Sequence, residues 1–126
     1  MKGLSDPNLQ RLWRRKSKEI HNNCCFFCGK HESQTELEVH HYIKRSVLLT
    51  KYLAINGFPC CRYDCHQFAH TKKGTRQIED WLAKNGWLDY LQERETSSKQ
   101  WFVDHHITRN DYLKKMYDEL KGIIKK

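Results

Sequence analysis

Residues 60–70 read CCRYDCHQFAH, a segment that brings two kinds of metal ligand into one short stretch. His66 and His70 are four positions apart and therefore share one face of an α-helix. Two imidazoles at this spacing suit a divalent ion, although HxxxH alone is more typical of a solvated helix face. Cys65 immediately before His66 strengthens the metal interpretation, because a structural site at Cys65 would fix the helix that carries both histidines.

A CxxC motif lies upstream at residues 25–29, CFFCG. Two thiolates on such a tight turn can reach one tetrahedral ion, as in a zinc knuckle. With the second cysteine cluster it predicts a four-cysteine structural Zn²⁺ site. Its ligands are Cys25, Cys28, Cys65 and either Cys61 or Cys60. The CxxxC spacing from residue 61 to 65 is less common than CxxC and leaves the fourth ligand open, and buried free thiols or a redox pair are the alternative.

Composition favours a small, basic, metal-stabilised protein. The 126 residues are 38% hydrophobic and 30% charged, so the core is small and gains from a metal. Lys plus Arg is 23 and Asp plus Glu is 15, a net charge of +8 that favours a polyanionic partner such as nucleic acid. The chain has no apolar run of membrane-spanning length and no apolar signal region at residues 1–10. We therefore expect no membrane contact and a reducing cytoplasm, where close cysteines bind zinc more often than they pair.

Residues 37–43, LEVHHYI, alternate enough to predict a β-strand. His40 or His41 would supply a third imidazole, leaving a coordination position open for phosphate or water, which is typical of a catalytic site. Neighbours in a regular strand point to opposite faces, so both rings can address one ion only if the strand ends or bends there. The alternative is one buried and one exposed histidine.

The flanking segments read as helices. A basic N-terminal helix begins near Asp6, which is a candidate cap. A helical region at 75–95 breaks at Asn85-Gly86, residues 96–98 (TSS) read as a linker, and Thr108 caps a C-terminal helix. These features predict an α+β chain in which residues 1–95, with a core motif at 24–70, form one domain and residues 96–126 are a linker and C-terminal helix.

Taken together, CxxCG at 25–29, LEVHHYIKRS at 37–46, NG at 56–57 and CHxxxH at 65–70 resemble the HNH endonucleases. The likeness is to the zinc-knuckle version common among small phage proteins, and it covers about 46 of the 126 residues. It implies a ββα-metal (His-Me finger) core with a four-cysteine zinc site between N- and C-terminal helices. One departure is an extra residue near 62–64, which lengthens both the Asn56–His66 interval and the CxxxC spacing.

The resemblance also implies residue roles. His41 matches the general base, and Asn56 matches the central N, which would hold the loop or the His41 ring. A catalytic divalent ion (Mg²⁺, Mn²⁺, Ni²⁺ or Zn²⁺) would bind the set His40, His66 and His70. In that family the products carry 5′-phosphate and 3′-hydroxyl ends.

Lys44 and Arg45 follow the strand and are candidates for binding DNA phosphate. The alternative is that they are ordinary surface charges. The expected function is a metal-dependent endonuclease that hydrolyses DNA phosphodiester bonds in the cytoplasm, the host cytoplasm if the chain is phage-encoded. A zinc-stabilised nucleic-acid-binding module that does not cut would have no need of His41. A structural or assembly protein would use zinc for stability alone.

Overall fold

The computed structural model of the chain describes residues 5–122, which form an α+β fold with a two-stranded antiparallel sheet. Along the chain its elements are α1 (Asp6–Ile20), β1 (Leu37–His41), α2 (Leu48–Lys51), a 3₁₀ turn (Ala54–Asn56), β2 (Gly57–Cys61), α3 (Cys65–Ala69), α4 (Lys72–Lys84), α5 (Leu88–His105) and α6 (Arg109–Lys121). Across these described residues, no helix combines the length and apolarity that crossing a membrane requires.

The sheet is built so that β2 is buried and β1 faces the cleft described below. Every residue of β2 is buried, whereas β1 is half-buried along its length. The pairing places Leu37 opposite Cys61 and His41 opposite Gly57. The predicted strand at 37–43 is confirmed but ends at His41. A turn at 62–64 leads directly into α3.

Helix α1 packs closely over the start of β2. A Cβ atom at Gly57 would lie 2.2 Å from Ser17 Oγ and 2.7 Å from the Trp13 ring, so only glycine permits this approach. Trp13 and Ser17 are both buried. Since Gly57 pairs with His41, the crossing sets the indole of Trp13 beside the end of β1.

Two apolar clusters hold the helices to the sheet. The first joins α1, α2 and α6; its buried members are Leu9, Leu12, Trp13, Leu49, Tyr52, Tyr112, Leu113, Met116 and Leu120. The second joins β2, α4 and α5; its buried members are Ile43, Phe58, Ile78, Leu82 and Leu91. The site described below lies on the sheet between them.

Two sequence expectations about the helices are corrected. The predicted linker at 96–98 is helical, because α5 continues through it. Thr96 Oγ1 and Ser97 Oγ donate to the Glu93 carbonyl at 3.0 and 2.7 Å, which satisfies these hydroxyls inside a helix. Asp6 is not the cap of α1 but its first residue, with its carboxylate bound to Lys51 and Tyr52.

The C-terminal helix is confirmed as α6, and its predicted cap is present. Thr108 Oγ1 accepts a hydrogen bond from the Asp111 backbone N–H at 3.1 Å. The helix ends at Lys121, and Gly122 takes a positive φ of 74° that suits glycine. The remainder of the predicted segment, 123–126, lies outside the described residues.

His21, at the end of α1, lies in an aromatic pocket. Its ring centroid is 4.8 Å from that of Trp81, 5.3 Å from Phe58 and 5.5 Å from Phe26. Its Nε2 atom is buried and has no hydrogen-bond partner among the described residues. Burial lowers the pKa of His21 to about 4, so the neutral ring is strongly favoured.

This pocket predicts a pH-dependent stability. Since the pKa of His21 is lower in the folded chain, folding releases protons from it between pH 6.5 and about 4. Its contribution to stability is complete above pH 6.5 and is lost as the pH falls toward 4. We expect His21→Phe to flatten the loss of unfolding free energy between about pH 7 and about pH 5.5, measured by urea denaturation with zinc present. The exposed His31→Phe is the control, and an equal flattening there would contradict the account.

Candidate metal centres and histidine cleft

His40, His66 and His70 form a cluster that could hold a metal ion. One ring nitrogen of each lies within 4.8 Å of those of the other two. The ring centroids are 4.7 Å apart for His40 and His70, and 5.1 Å apart for His66 and His70. α3 supplies His66, and His70 is the residue that caps the C-terminal end of α3. β1 supplies His40. The structure therefore brings together all three predicted ligands of the catalytic ion.

Glu38 supports this cluster and was missed by the sequence reasoning. Its Oε2 is hydrogen-bonded to His66 Nδ1, and its Oε1 is 3.3 Å from Arg62 Nε. When Nδ1–H donates to a carboxylate, Nε2 is left unprotonated and free to bind a metal. Glu38 and His40 are two residues apart in β1 and share its face, which is the one sequence signal that could have identified Glu38.

His40 is held in the neutral form that a metal ligand needs. Burial is the largest cause, and the neighbouring His70 and His66 add to it, lowering the pKa of His40 to about 4. A neutral imidazole needs no proton displaced before it coordinates a cation. The chemistry of this donor set therefore fits a divalent ion.

His41 lies outside the three-histidine cluster. Its ring stacks on Trp13 with centroids 3.8 Å apart and planes 11° apart, and its Nε2 is 3.2 Å from the Lys51 carbonyl oxygen. A carbonyl only accepts, so Nε2 carries the proton and Nδ1 carries the lone pair. Burial is the largest cause of a pKa of about 4 for His41, assisted by the nearby charges of Arg45 and Lys51. The ring is therefore neutral and fixed in one tautomer.

One cleft connects these groups. It has a volume of about 560 Å³ and is lined by Gln10, Trp13, Val39, His40, His41, Tyr42, Lys44, Arg45, His66, Ala69, His70 and Thr75. The alternation of β1 sends only His40 into the metal cluster, yet His41 lines the same space. Lys44 and Arg45 are exposed on this cleft, so the predicted phosphate-binding residues lie with the histidines.

Asn56 is buried and ties down the loop that follows β1. Its Oδ1 accepts from the Ile43 N–H at 2.8 Å, and its Nδ2 donates to the carbonyls of Ile43 and Thr50 at 3.1 Å each. No described hydrogen bond links the Asn56 side chain to the His41 ring. Two roles were expected for Asn56, holding the loop or holding the His41 ring. Its hydrogen bonds are those of a residue that holds the loop. That loop carries Lys44 and Arg45, and leads to the carbonyl that orients His41.

We expect Asn56→Ala to lower the free energy of unfolding by about 2–4 kcal/mol, because it leaves the Ile43 N–H buried without an acceptor. Urea denaturation measures the effect. Asn85→Ala is the matched control, since Asn85 makes a comparable amide bond to Trp81 at an exposed position. Surface changes of this kind stay within about 0.5 kcal/mol. Equal losses in the two variants would contradict the role given to Asn56.

Four cysteines form a second cluster, at the junction of the CxxC turn, β2 and α3. The Sγ atoms of Cys25, Cys28, Cys61 and Cys65 all lie within 4.8 Å of one another. Cys28 Sγ and Cys61 Sγ are 3.4 Å apart, far beyond the ~2.05 Å of a disulfide, and all are free thiols. Four thiols at this separation could hold a structural metal such as zinc.

The open choice between Cys60 and Cys61 is resolved by geometry in favour of Cys61. Consecutive strand residues point to opposite faces, so only one of them can join the cluster. Cys60 is fully buried, and burial raises its pKa to about 12. Its thiol lies in the core, outside the four-cysteine cluster.

Cys25 has the electrostatic environment of a metal ligand. Burial raises its pKa, but hydrogen bonds from the backbone N–H groups of Cys28, Cys61 and Phe27 outweigh burial and bring it to about 7. The Cys28 N–H lies 3.4 Å from Cys25 Sγ. Donors aimed at Cys25 Sγ stabilise its thiolate, which is the form that binds a metal ion, so Cys25 suits a metal site.

Comparison of the chain with protein-family models, with curated proteins and with solved structures gives no match. The likeness to the HNH endonucleases therefore stays a prediction from the sequence motifs.

Proposed function

We propose that the protein is a metal-dependent endonuclease of the HNH (ββα-metal) type that hydrolyses DNA phosphodiester bonds. The observation that carries the proposal is the cleft itself. Three imidazoles that could hold an ion, and a fourth imidazole that is neutral and outside their cluster, line one cavity with two exposed cations. The chain order of two strands followed by the ligand-bearing helix supports the ββα-metal assignment.

The two clusters would hold different ions. The four cysteines would bind structural Zn²⁺, and the three histidines would bind a catalytic Mg²⁺, Mn²⁺, Ni²⁺ or Zn²⁺. Bound there, the catalytic ion supplies positive charge to the scissile phosphate and the leaving oxygen. Glu38 keeps His66 in the coordinating tautomer, and Arg62 in turn holds Glu38.

His41 acts as the general base in this proposal. Its Nδ1 lone pair would take the proton of the attacking water, and the Lys51 carbonyl would stabilise the imidazolium through Nε2–H. Stacking on the buried indole of Trp13 restricts rotation of the ring. A ring fixed in this way needs little reorganisation when the proton moves.

Lys44 and Arg45 would bind phosphates of the DNA at the edge of the cleft. Both are exposed, and neither forms an ion pair among the described side chains. Arg offers a bidentate fork and Lys a mobile point charge, and both suit phosphate oxygens.

The proposal is tested by cleavage of an end-labelled DNA duplex. We expect protein treated briefly with EDTA to cut only after Mg²⁺, Mn²⁺, Ni²⁺ or Zn²⁺ is restored. His66→Ala should then cut at least about 100-fold more slowly, because it removes one of three ligands. His31→Ala, an exposed histidine outside the cluster, is the control. Retarded but uncut DNA with every cation would instead indicate a nucleic-acid-binding module without catalysis.

A further inference from the structure

The first two turns of α4 carry cations with no assigned role. Lys72 and Arg76 are exposed, and in the described range neither forms an ion pair with a carboxylate. Among the residues that line the cavity beside them, the acidic one is Glu79, whose Oε2 accepts a hydrogen bond from the Tyr42 hydroxyl at 2.7 Å. We call Lys72 and Arg76 the α4 basic patch.

The patch is fixed rigidly to the metal-binding helix. A Cβ atom at Gly74 would lie 2.1 Å from the Phe68 carbonyl oxygen, so α4 approaches α3 more closely than any other residue would allow. Thr71 Oγ1 donates to that same carbonyl at 2.6 Å and accepts from the Gly74 N–H at 3.0 Å. Lys72 and Arg76 therefore keep a constant position relative to His66 and His70.

The space in front of the patch adjoins the histidine cleft, because the two cavities share lining residues. A cavity of about 310 Å³ is lined by His70, Thr71, Lys72, Thr75, Arg76 and Glu79. His70 and Thr75 also line the larger cleft, so the two cavities meet at the last predicted ligand of the catalytic ion. An extended polyanion lying in the cleft would reach the α4 basic patch as it leaves past His70.

We propose that Lys72 and Arg76 bind the DNA backbone phosphates next to the scissile phosphate, on the side of the cleft opened by His70. The inference rests on the proposed function. It adds a phosphate-binding surface 27–32 residues beyond Lys44 and Arg45 in sequence, one that no motif predicts. With both surfaces engaged, the strand would be held on either side of the histidines, which orients the bond to be cut.

The test is equilibrium binding of a fluorescent DNA duplex to wild type and to the double variant Lys72→Gln/Arg76→Gln. Binding is followed by anisotropy over a range of KCl concentrations without added divalent cation, so that the DNA stays intact. Two lost phosphate contacts should reduce the slope of log K against log salt by about 1–2 and weaken binding roughly tenfold at about 0.1 M salt. Both residues are exposed, so folding is preserved, and circular dichroism verifies it.

Lys114→Gln/Lys115→Gln is the matched control. It removes the same charge from exposed positions on α6 that line neither cavity. We expect it to leave the salt slope within about 0.5 of wild type. A wild-type slope in the α4 variant, or equal losses in both variants, would overturn the proposal.

Cleavage kinetics separate this inference from the proposed function. With a cation restored, the α4 variant should show a KM raised about tenfold and a kcat within about threefold of wild type, as expected when uniform binding is removed. Wild type could fail to cut with any cation while the α4 variant still shows the predicted reduction in the slope of log K against log salt. The nuclease proposal would then fail and the phosphate-binding surface would stand. An unchanged KM in an α4 variant that still cuts DNA would overturn the phosphate-binding role of Lys72 and Arg76 and leave the nuclease proposal in place.

Discussion

Cys61→Ser should abolish tight zinc binding and lower the free energy of unfolding by more than about 3 kcal/mol. Cys61 is 3% exposed and ends β2, where its thiol meets those of the CxxC turn and α3. A serine hydroxyl does not ionise to replace a thiolate ligand. Zinc held by such sites contributes about 10–16 kcal/mol in small domains. Loss of one ligand would therefore weaken the link that a bound ion makes between these three elements.

Zinc content after gel filtration in the presence of a weak chelator measures this effect, with thermal unfolding by circular dichroism beside it. Cys24→Ser is the matched control, because Cys24 adjoins Cys25 but lies outside the cluster, its Sγ 3.3 Å from the Asn22 carbonyl oxygen. We expect one zinc ion per chain in wild type and in Cys24→Ser. Retention of that ion by Cys61→Ser would contradict the assignment of the four thiols.

His41→Ala should slow DNA cleavage by about 10²–10⁴-fold at saturating divalent cation, the usual contribution of a general base. The same variant should keep its zinc, its second ion and its affinity for DNA, because His41 belongs to neither metal cluster. Single-turnover cleavage of a labelled duplex measures the rate. His41→Gln retains more of the side-chain volume beside Trp13 and should lose the same factor, which separates loss of the base from a packing defect.

His105→Ala is a closely matched control for that loss. Its ring stacks on Trp101 with centroids 4.2 Å apart, and its Nδ1 is 2.9 Å from the Trp101 carbonyl oxygen. It therefore reproduces the tryptophan stack and the carbonyl bond of His41 at an exposed position on α5. If His105→Ala lost as much of the cleavage rate as His41→Ala, the loss would reflect removal of a histidine–tryptophan stack and not removal of a general base.

The two clusters of candidate ligands could be predicted because metal ligands obey local spacing rules. CxxC, HxxxH and the adjacency of Cys65 and His66 fix their relative positions within one turn or one helix face. Period-two alternation in β1 correctly separated His40 from His41. The spacing of the cysteines left the fourth thiol open between Cys60 and Cys61, and only the structure shows that Cys61 joins the cluster.

The supporting contacts could not be predicted because tertiary packing decides them. Trp13 and His41 are 28 residues apart and meet only because α1 crosses β2 at Gly57. Glu38 and His66 are also 28 residues apart in sequence. They meet because β1 pairs with β2, which leads into α3. The continuous α5 was missed because the hydroxyls at 96 and 97 bond within the helix instead of ending it.

The central claim, metal-dependent DNA hydrolysis with His41 as the base, is tested most directly by incubating supercoiled plasmid with wild type and His41→Ala. Each is assayed in EDTA and after Mg²⁺, Mn²⁺, Ni²⁺ or Zn²⁺ is added back. The account predicts nicked or linear plasmid from wild type with at least one cation, none in EDTA, and little or none from the variant. Intact but retarded plasmid with every cation, or cutting undiminished in His41→Ala, would contradict it.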